Sequence, residues 1–237
     1  MARLGWFAVL VVVMSAIVVT AGATQALAAC NGQDENIFWQ GQAFSYGNRG
    51  EIGLTNRTVD GSCVTYDVPY GSTVHVVLGS VYGNWSESGW RAHYISGGTP
   101  VISFFHESGI NFTTNHNVDT YSPPCTSFGT YARYQENNVD GTYQWDGWVD
   151  CQDGQGFRYI SRTPSLGYAK GLAVGETFRR GGGTGMGDVH RNLYRKDSAG
   201  SWLAWTGTSC YRDPISGWQG TSVSATRFDT VTGSGNC

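Results

Sequence analysis

Past residue 28 the chain shows almost no helical periodicity. Short runs rich in Val, Ile, Thr and aromatic residues recur instead, bounded by Gly, Asn and Asp clusters. That is the pattern of strands joined by tight turns. Runs at 37–39, 51–56, 62–68, 73–81, 90–95 and 101–106 predict strands, as do 130–136, 142–149, 157–161, 171–179, 190–195, 202–206 and 222–231. Eleven to thirteen short strands without crossover helices predict an all-β fold, an antiparallel two-sheet β-sandwich or a barrel. One hairpin is legible in detail. The runs 130–136 and 142–149 flank Asn137-Asn138-Val139-Asp140-Gly141, whose Asp-Gly ending favours a turn. Closing it brings Cys125 and Cys151 together beyond the open end and predicts a disulfide between them.

The amino-terminal segment breaks this pattern. Arg3 precedes an almost unbroken apolar run from Phe7 to Val19, and Ala26-Leu27-Ala28 has the small-x-small form of a signal-peptidase site. Residues 1–28 therefore read as a secretory signal, too short for a membrane span. Six cysteines follow it: Cys30, Cys63, Cys125, Cys151, Cys210 and Cys237. An even set in an exported chain implies a disulfide-stabilised extracellular protein. Leu27-Ala28-Ala29-Cys30 also resembles a bacterial lipobox, which would anchor the protein to a membrane through Cys30. Parity favours the disulfide, because lipidation leaves one cysteine unpaired. Proximity along the chain suggests Cys210 with Cys237 and Cys30 with Cys63. No Pro/Ser/Gly linker divides residues 29–237, which predicts a single domain.

Composition narrows the partners. The chain has 34 Gly, 13 Tyr and 9 Trp, with a formal net charge of −3. Without a concentrated basic patch, nucleic acid and anionic membrane surfaces are poor partners. The five histidines are scattered and show no HxH or HExxH spacing, so no metal site is expected. Asp140, Asp146, Asp150 and Asp153 do not match a calcium loop. Gly181 to Gly187 lacks the lysine of a phosphate loop, and no Gly-x-Ser-x-Gly elbow occurs, so no cofactor is expected.

The carboxylates hold the candidate chemistry. Alternation in 171–180 places Glu176 in line with Leu172, Val174 and Phe178. A carboxylate among large apolar residues must be paired, protonated or facing a cleft. Glu107 closes the apolar run 101–107 beside His106, and alternation sends those two to opposite faces. Glu87, in Trp85-Ser86-Glu87-Ser88-Gly89-Trp90, reads as a loop residue between aromatics. Trp85, Trp145 and Trp148 are candidates for stacking on a sugar or peptide, while most tryptophans are expected to fill the core.

Two segments carry a family likeness: Phe104-Phe105-His106-Glu107, and the stretch from Gly171-Leu172-Ala173-Val174-Gly175-Glu176-Thr177-Phe178 through Met186-Gly187 to Ser201-Trp202-Leu203-Ala204-Trp205. In order and spacing they resemble secreted bacterial proteins related to the glutamic-peptidase and neprosin-like group. The resemblance implies a concanavalin A-like jelly roll. It also implies a glutamate on an inner strand that activates water against a peptide bond with a second Gln or Glu. Glu176 matches the glutamate-bearing strand. The partner's expected strand, 74–81, holds neither Gln nor Glu, and Leu78 occupies the approximate place; Glu107 is the available substitute. The missing partner favours a non-catalytic protein that binds an extracellular polysaccharide or polypeptide on its concave sheet. The alternative is an acid-range glutamic-type endopeptidase or other hydrolase using Glu176 with Glu107.

Overall fold

The computed structural model describes residues 35–53, 70–78, 83–94, 101–111, 113–120, 131–179, 188–212 and 218–232. Among these residues there are 15 strands and no helix. They are β1 (Glu35–Ser45), β2 (Gly47–Gly53), β3 (Tyr70–Leu78), β4 (Trp85–Tyr94), β5 (Val101–Ile110) and β6 (Thr113–Thr120). After these come β7 (Tyr131–Asn138), β8 (Trp145–Asp150), β9 (Arg158–Arg162), β10 (Gly171–Arg179) and β11 (Asp188–Lys196). The last four are β12 (Trp202–Ala204), β13 (Thr208–Arg212), β14 (Trp218–Ser224) and β15 (Arg227–Thr232).

The strands form two antiparallel sheets. Sheet A has seven strands in the order β13-β1-β10-β3-β4-β5-β6. Sheet B runs β14-β15-β11-β2-β7-β8-β9, with β12 paired to β11. The expected antiparallel β-sandwich is the fold observed. Strand alternation explains the layering: along β7, Ala132, Tyr134, Glu136 and Asn138 are buried while the residues between them are partly exposed. Ile52, Trp90, Phe104, Ala132, Tyr134 and Val149 form one core cluster between the sheets. Ala173, Leu193, Trp205 and Phe228 form a second. Close sheet contact requires glycine at position 175, where a Cβ would stand 2.7 Å from the Phe228 ring.

The outer face of sheet B is ionic. Register places Arg191, Glu51, Arg133 and Asp150 in one row across four strands. Arg191 donates to Glu51 at 2.9 Å, and Arg133 approaches Glu51 at 3.8 Å and Asp150 at 3.5 Å. The alternating signs make a cross-strand ladder on the solvent side.

The predicted hairpin is the β7–β8 hairpin. Gly141 has φ 74°, and the Asn138 amide donates to the carbonyls of Thr142 and Gln144. Cys151 just beyond it is disulfide-bonded, whereas Cys125 lies outside the described residues. So do the signal segment, the run 62–68, the glycine-rich stretch 181–187, and Cys30, Cys63 and Cys237. Cys210 sits on β13 opposite Trp39.

Two strands escaped sequence reading. β6 (TTNHNVDT) has almost no apolar residues because it is the edge of sheet A, and β13 is another edge strand. The run 222–231 is a hairpin turning at 225–226 rather than one strand.

Candidate functional site

Sheet A presents chemistry on both faces. On β4, Ser86, Ser88 and Trp90 are buried towards sheet B, so Trp85, Glu87 and Gly89 have outer parity. On β5 the same alternation turns Phe104, His106 and Ser108 inward and Phe105 and Glu107 outward. Register then sets Glu87 directly opposite Glu107. Residues so placed have Cβ atoms about 5 Å apart, so two carboxylates there repel each other when both are ionised. Both glutamates are half-buried, and the Thr114 hydroxyl donates to Glu107 Oε1 at 3.0 Å. Phe105, the next outward residue of β5, is fully buried. This face is therefore overlaid beside the carboxylate pair, which gives the pair one closed flank.

Between the sheets, the other face of the same strands holds a polar chain. His106 is fully buried, and its Nε2 lies 3.0 Å from Ser86 Oγ and 3.3 Å from Glu136 Oε2. Ser86 donates to Glu136 Oε2 at 2.6 Å, and Glu136 is itself fully buried. On the other side of the ring, Nδ1 lies 2.6 Å from Ser161 Oγ, which His116 Nε2 also meets at 3.0 Å. The imidazoles of His106 and His116 meet edge-on, 5.5 Å between centroids. Burial and the adjacent His106 lower the His116 pKa, against a smaller opposing pull from Glu136.

Five strands supply this chain: β4, β5, β6, β7 and β9. A sixth, β8, makes room, because a Cβ on Gly147 would collide with the His106 ring. Next to it, Ser88 Oγ, Tyr134 OH and Glu136 Oε1 are buried without a hydrogen-bond partner. Burial raises the Tyr134 pKa well above that of a free phenol, so this hydroxyl keeps its proton. Buried polar atoms left in this condition cost about 1–3 kcal/mol each.

The sequence candidates distribute differently from expectation. Glu176 lies opposite Val76 in the β10–β3 pairing, and β3 and β4 separate β10 from β5. By register Glu176 is level with Phe105, and three strand spacings with that two-residue offset put the Glu176 and Glu107 backbones about 16 Å apart. Glu87, expected in a loop, is instead within β4 and is the residue that faces Glu107. Trp145 is only 2 % exposed, and its indole donates to the Tyr168 carbonyl, which makes it a core residue rather than a stacking surface. Trp148 stacks edge-on with exposed Tyr159 on sheet B, whereas Trp85 packs over Gly109 on sheet A. The three tryptophans do not share a surface.

Among the described residues no group of His, Cys, Asp and Glu is arranged to hold a metal. Asp146 and Asp153 pair instead with Arg162 and Arg158, and Asp150 with Arg133. The inner chain was absent from the sequence reading because its members are far apart along the chain. One signal was available: Glu136 alternates in line with Ala132 and Tyr134, the same oddity that singled out Glu176.

No family model matches the chain, and neither does any curated protein. Solved structures do. Scytalido-glutamic peptidase, with a peptide-based transition-state analogue, aligns with a TM-score of 0.56 at 9% identity, covering 85% of this chain and 98% of its own. SCP-B, a member of the eqolisin family of peptidases in complex with the tripeptide Ala-Ile-His, aligns with a TM-score of 0.52 at 8% identity and the same coverage. At such identity the likeness is one of fold: this chain has the two-sheet architecture of those glutamic peptidases.

Proposed function

We propose that the protein is an acid-range hydrolase of polypeptides, working on the outer face of sheet A with Glu107 and Glu87. The observation that carries the reading is the direct cross-strand pairing of these two half-buried glutamates beside an overlaid flank. The fold shared with glutamic peptidases supports hydrolysis over non-catalytic binding. Glu107, oriented by Thr114, takes a proton from the attacking water. Glu87, holding a proton, gives it to the leaving amine. The pair thus divides the two tasks, one carboxyl serving as base and the other as acid.

The test is cleavage of casein by the purified protein between about pH 3 and 7. Glu107→Gln and Glu87→Gln each lower the rate by about 100-fold or more with little change in melting temperature. Glu176→Gln leaves most of the rate in place. Loss of cleavage in Glu176→Gln alone would move the chemistry to β10. Retention of casein or a polysaccharide without cleavage would return the protein to a binding role.

A further inference from the structure

We propose that Ser161 is a second nucleophile, taking acyl groups from small esters at the lateral edge of the sandwich, with His106 as its base. Glu136 and Ser86 serve as the groups that hold the imidazole.

With His106 neutral, the hydrogen inventory of the inner chain gives one consistent set of roles. Ser86 has one hydroxyl hydrogen and gives it to Glu136 Oε2, so towards His106 its oxygen can only accept. The 3.0 Å contact with His106 Nε2 therefore requires a hydrogen on Nε2. Neutral His106 then carries a bare Nδ1. Across the 2.6 Å contact, this atom accepts the hydroxyl hydrogen of Ser161. With that hydrogen committed, Ser161 Oγ accepts from His116 Nε2–H at 3.0 Å. Every donor now runs one way, from His116 through Ser161, His106 and Ser86 to the Glu136 carboxylate. A serine hydroxyl aimed at an unprotonated imidazole nitrogen, whose other nitrogen is anchored towards a buried carboxylate, is the arrangement that activates a nucleophile.

Access comes from position. β6 ends sheet A and β9 ends sheet B, and His116 and Ser161 stand on these two edges, both half-buried. His106 and Glu136 lie fully buried behind them. A buried base with a partly exposed hydroxyl in front of it suits attack by Ser161 on a small group arriving from the side. In the acylation step Ser161 Oγ bonds to the ester carbonyl carbon and its proton passes to His106 Nδ1. The bond from that carbon to the alcohol oxygen breaks, and the departing oxygen takes the proton from Nδ1. The products are acyl-Ser161 and the free alcohol. The site is on the opposite face of sheet A from Glu87 and Glu107, so it stands or falls separately from the proposed peptidase.

p-Nitrophenyl acetate is the probe, with the whole mature protein. Release of about one equivalent of p-nitrophenolate is expected, together with one acetyl group mapped to Ser161 by peptide mass spectrometry. Ser161→Ala loses that label. His106→Gln and Glu136→Gln lower the acylation rate by about 100-fold and about 10-fold. In the wild type the rate falls with pH as the imidazole gains a proton, a dependence that a purely structural hydrogen bond would not impose. Should the buried variants fail to fold, Ser161→Ala and the pH profile still decide. An acetyl group found on other side chains, equal labelling of Ser161→Ala, or a rate indifferent to imidazole protonation would overturn the proposal.

Discussion

Substituting Gly147 by alanine tests the packing that holds the inner chain. A Cβ at this position would overlap His106, with Cδ2 at 2.6 Å and the histidine Cβ at 2.9 Å. The ring cannot simply swing aside. It is fully buried and tied to Ser86, Glu136 and Ser161. Either β8 moves away from β5, or the ring leaves its partners. Overpacking of this kind costs about 1–3 kcal/mol, and alanine returns about 0.5–1 kcal/mol by restricting the unfolded chain. The net loss of about 1 kcal/mol lowers the melting temperature by about 2–4 °C in a domain of this size.

Tryptophan fluorescence against temperature measures it, and a double-mutant cycle locates the cause. Once His106→Gly has removed the ring and its Cβ, adding Gly147→Ala costs less than about 0.5 kcal/mol. A single variant melting within about 1 °C of wild type would refute the argument, as would a penalty that persists without the histidine.

Three other outcomes are expected. His116 has a folded-state pKa below its ordinary 6.5, so the unfolded chain binds more protons near that pH. Its contribution is intact above 6.5 and is lost as pH falls through 6.5 towards the folded value; melting curves of His116→Asn across this range should show a shallower decline than wild type. Glu51→Gln leaves Arg191 and Arg133 facing an uncharged amide, costing about 1–2 kcal/mol at low salt and less at high salt, readable by urea denaturation. Disulfide mapping of the mature protein should join Cys151 to Cys125; another partner for Cys151 would show that the hairpin does not set the pairing.

The legibility of each element follows from how local its cause is. β5, β7, β8 and β10 were readable because each gathers aromatic or β-branched residues into a single strand-length run. The β7–β8 turn was readable because Asp140-Gly141 asks for positive φ, which Gly141 adopts. β6 was not, because an edge strand needs little apolar sequence. Glu87 read as a loop residue between the aromatics Trp85 and Trp90, because Ser86 and Ser88 beside it are small and polar; they are in fact the inward residues of β4.

By itself the sequence determined the antiparallel all-β class: strand-length runs, alternation and the absence of helical period leave a sandwich or a barrel as the ways to bury this many aromatic residues. It also supplied the carboxylates and histidines, but not which of them meet. Glu107 faces Glu87 because of the β4–β5 register, and stands three strands from Glu176 because β3 and β4 come between. Glu136 reaches His106 only because the two sheets stack with those residues pointing inward. Register and stacking depend on pairing between distant segments, and a one-residue slip would send each of these side chains to the opposite face. That information resides in the tertiary fold.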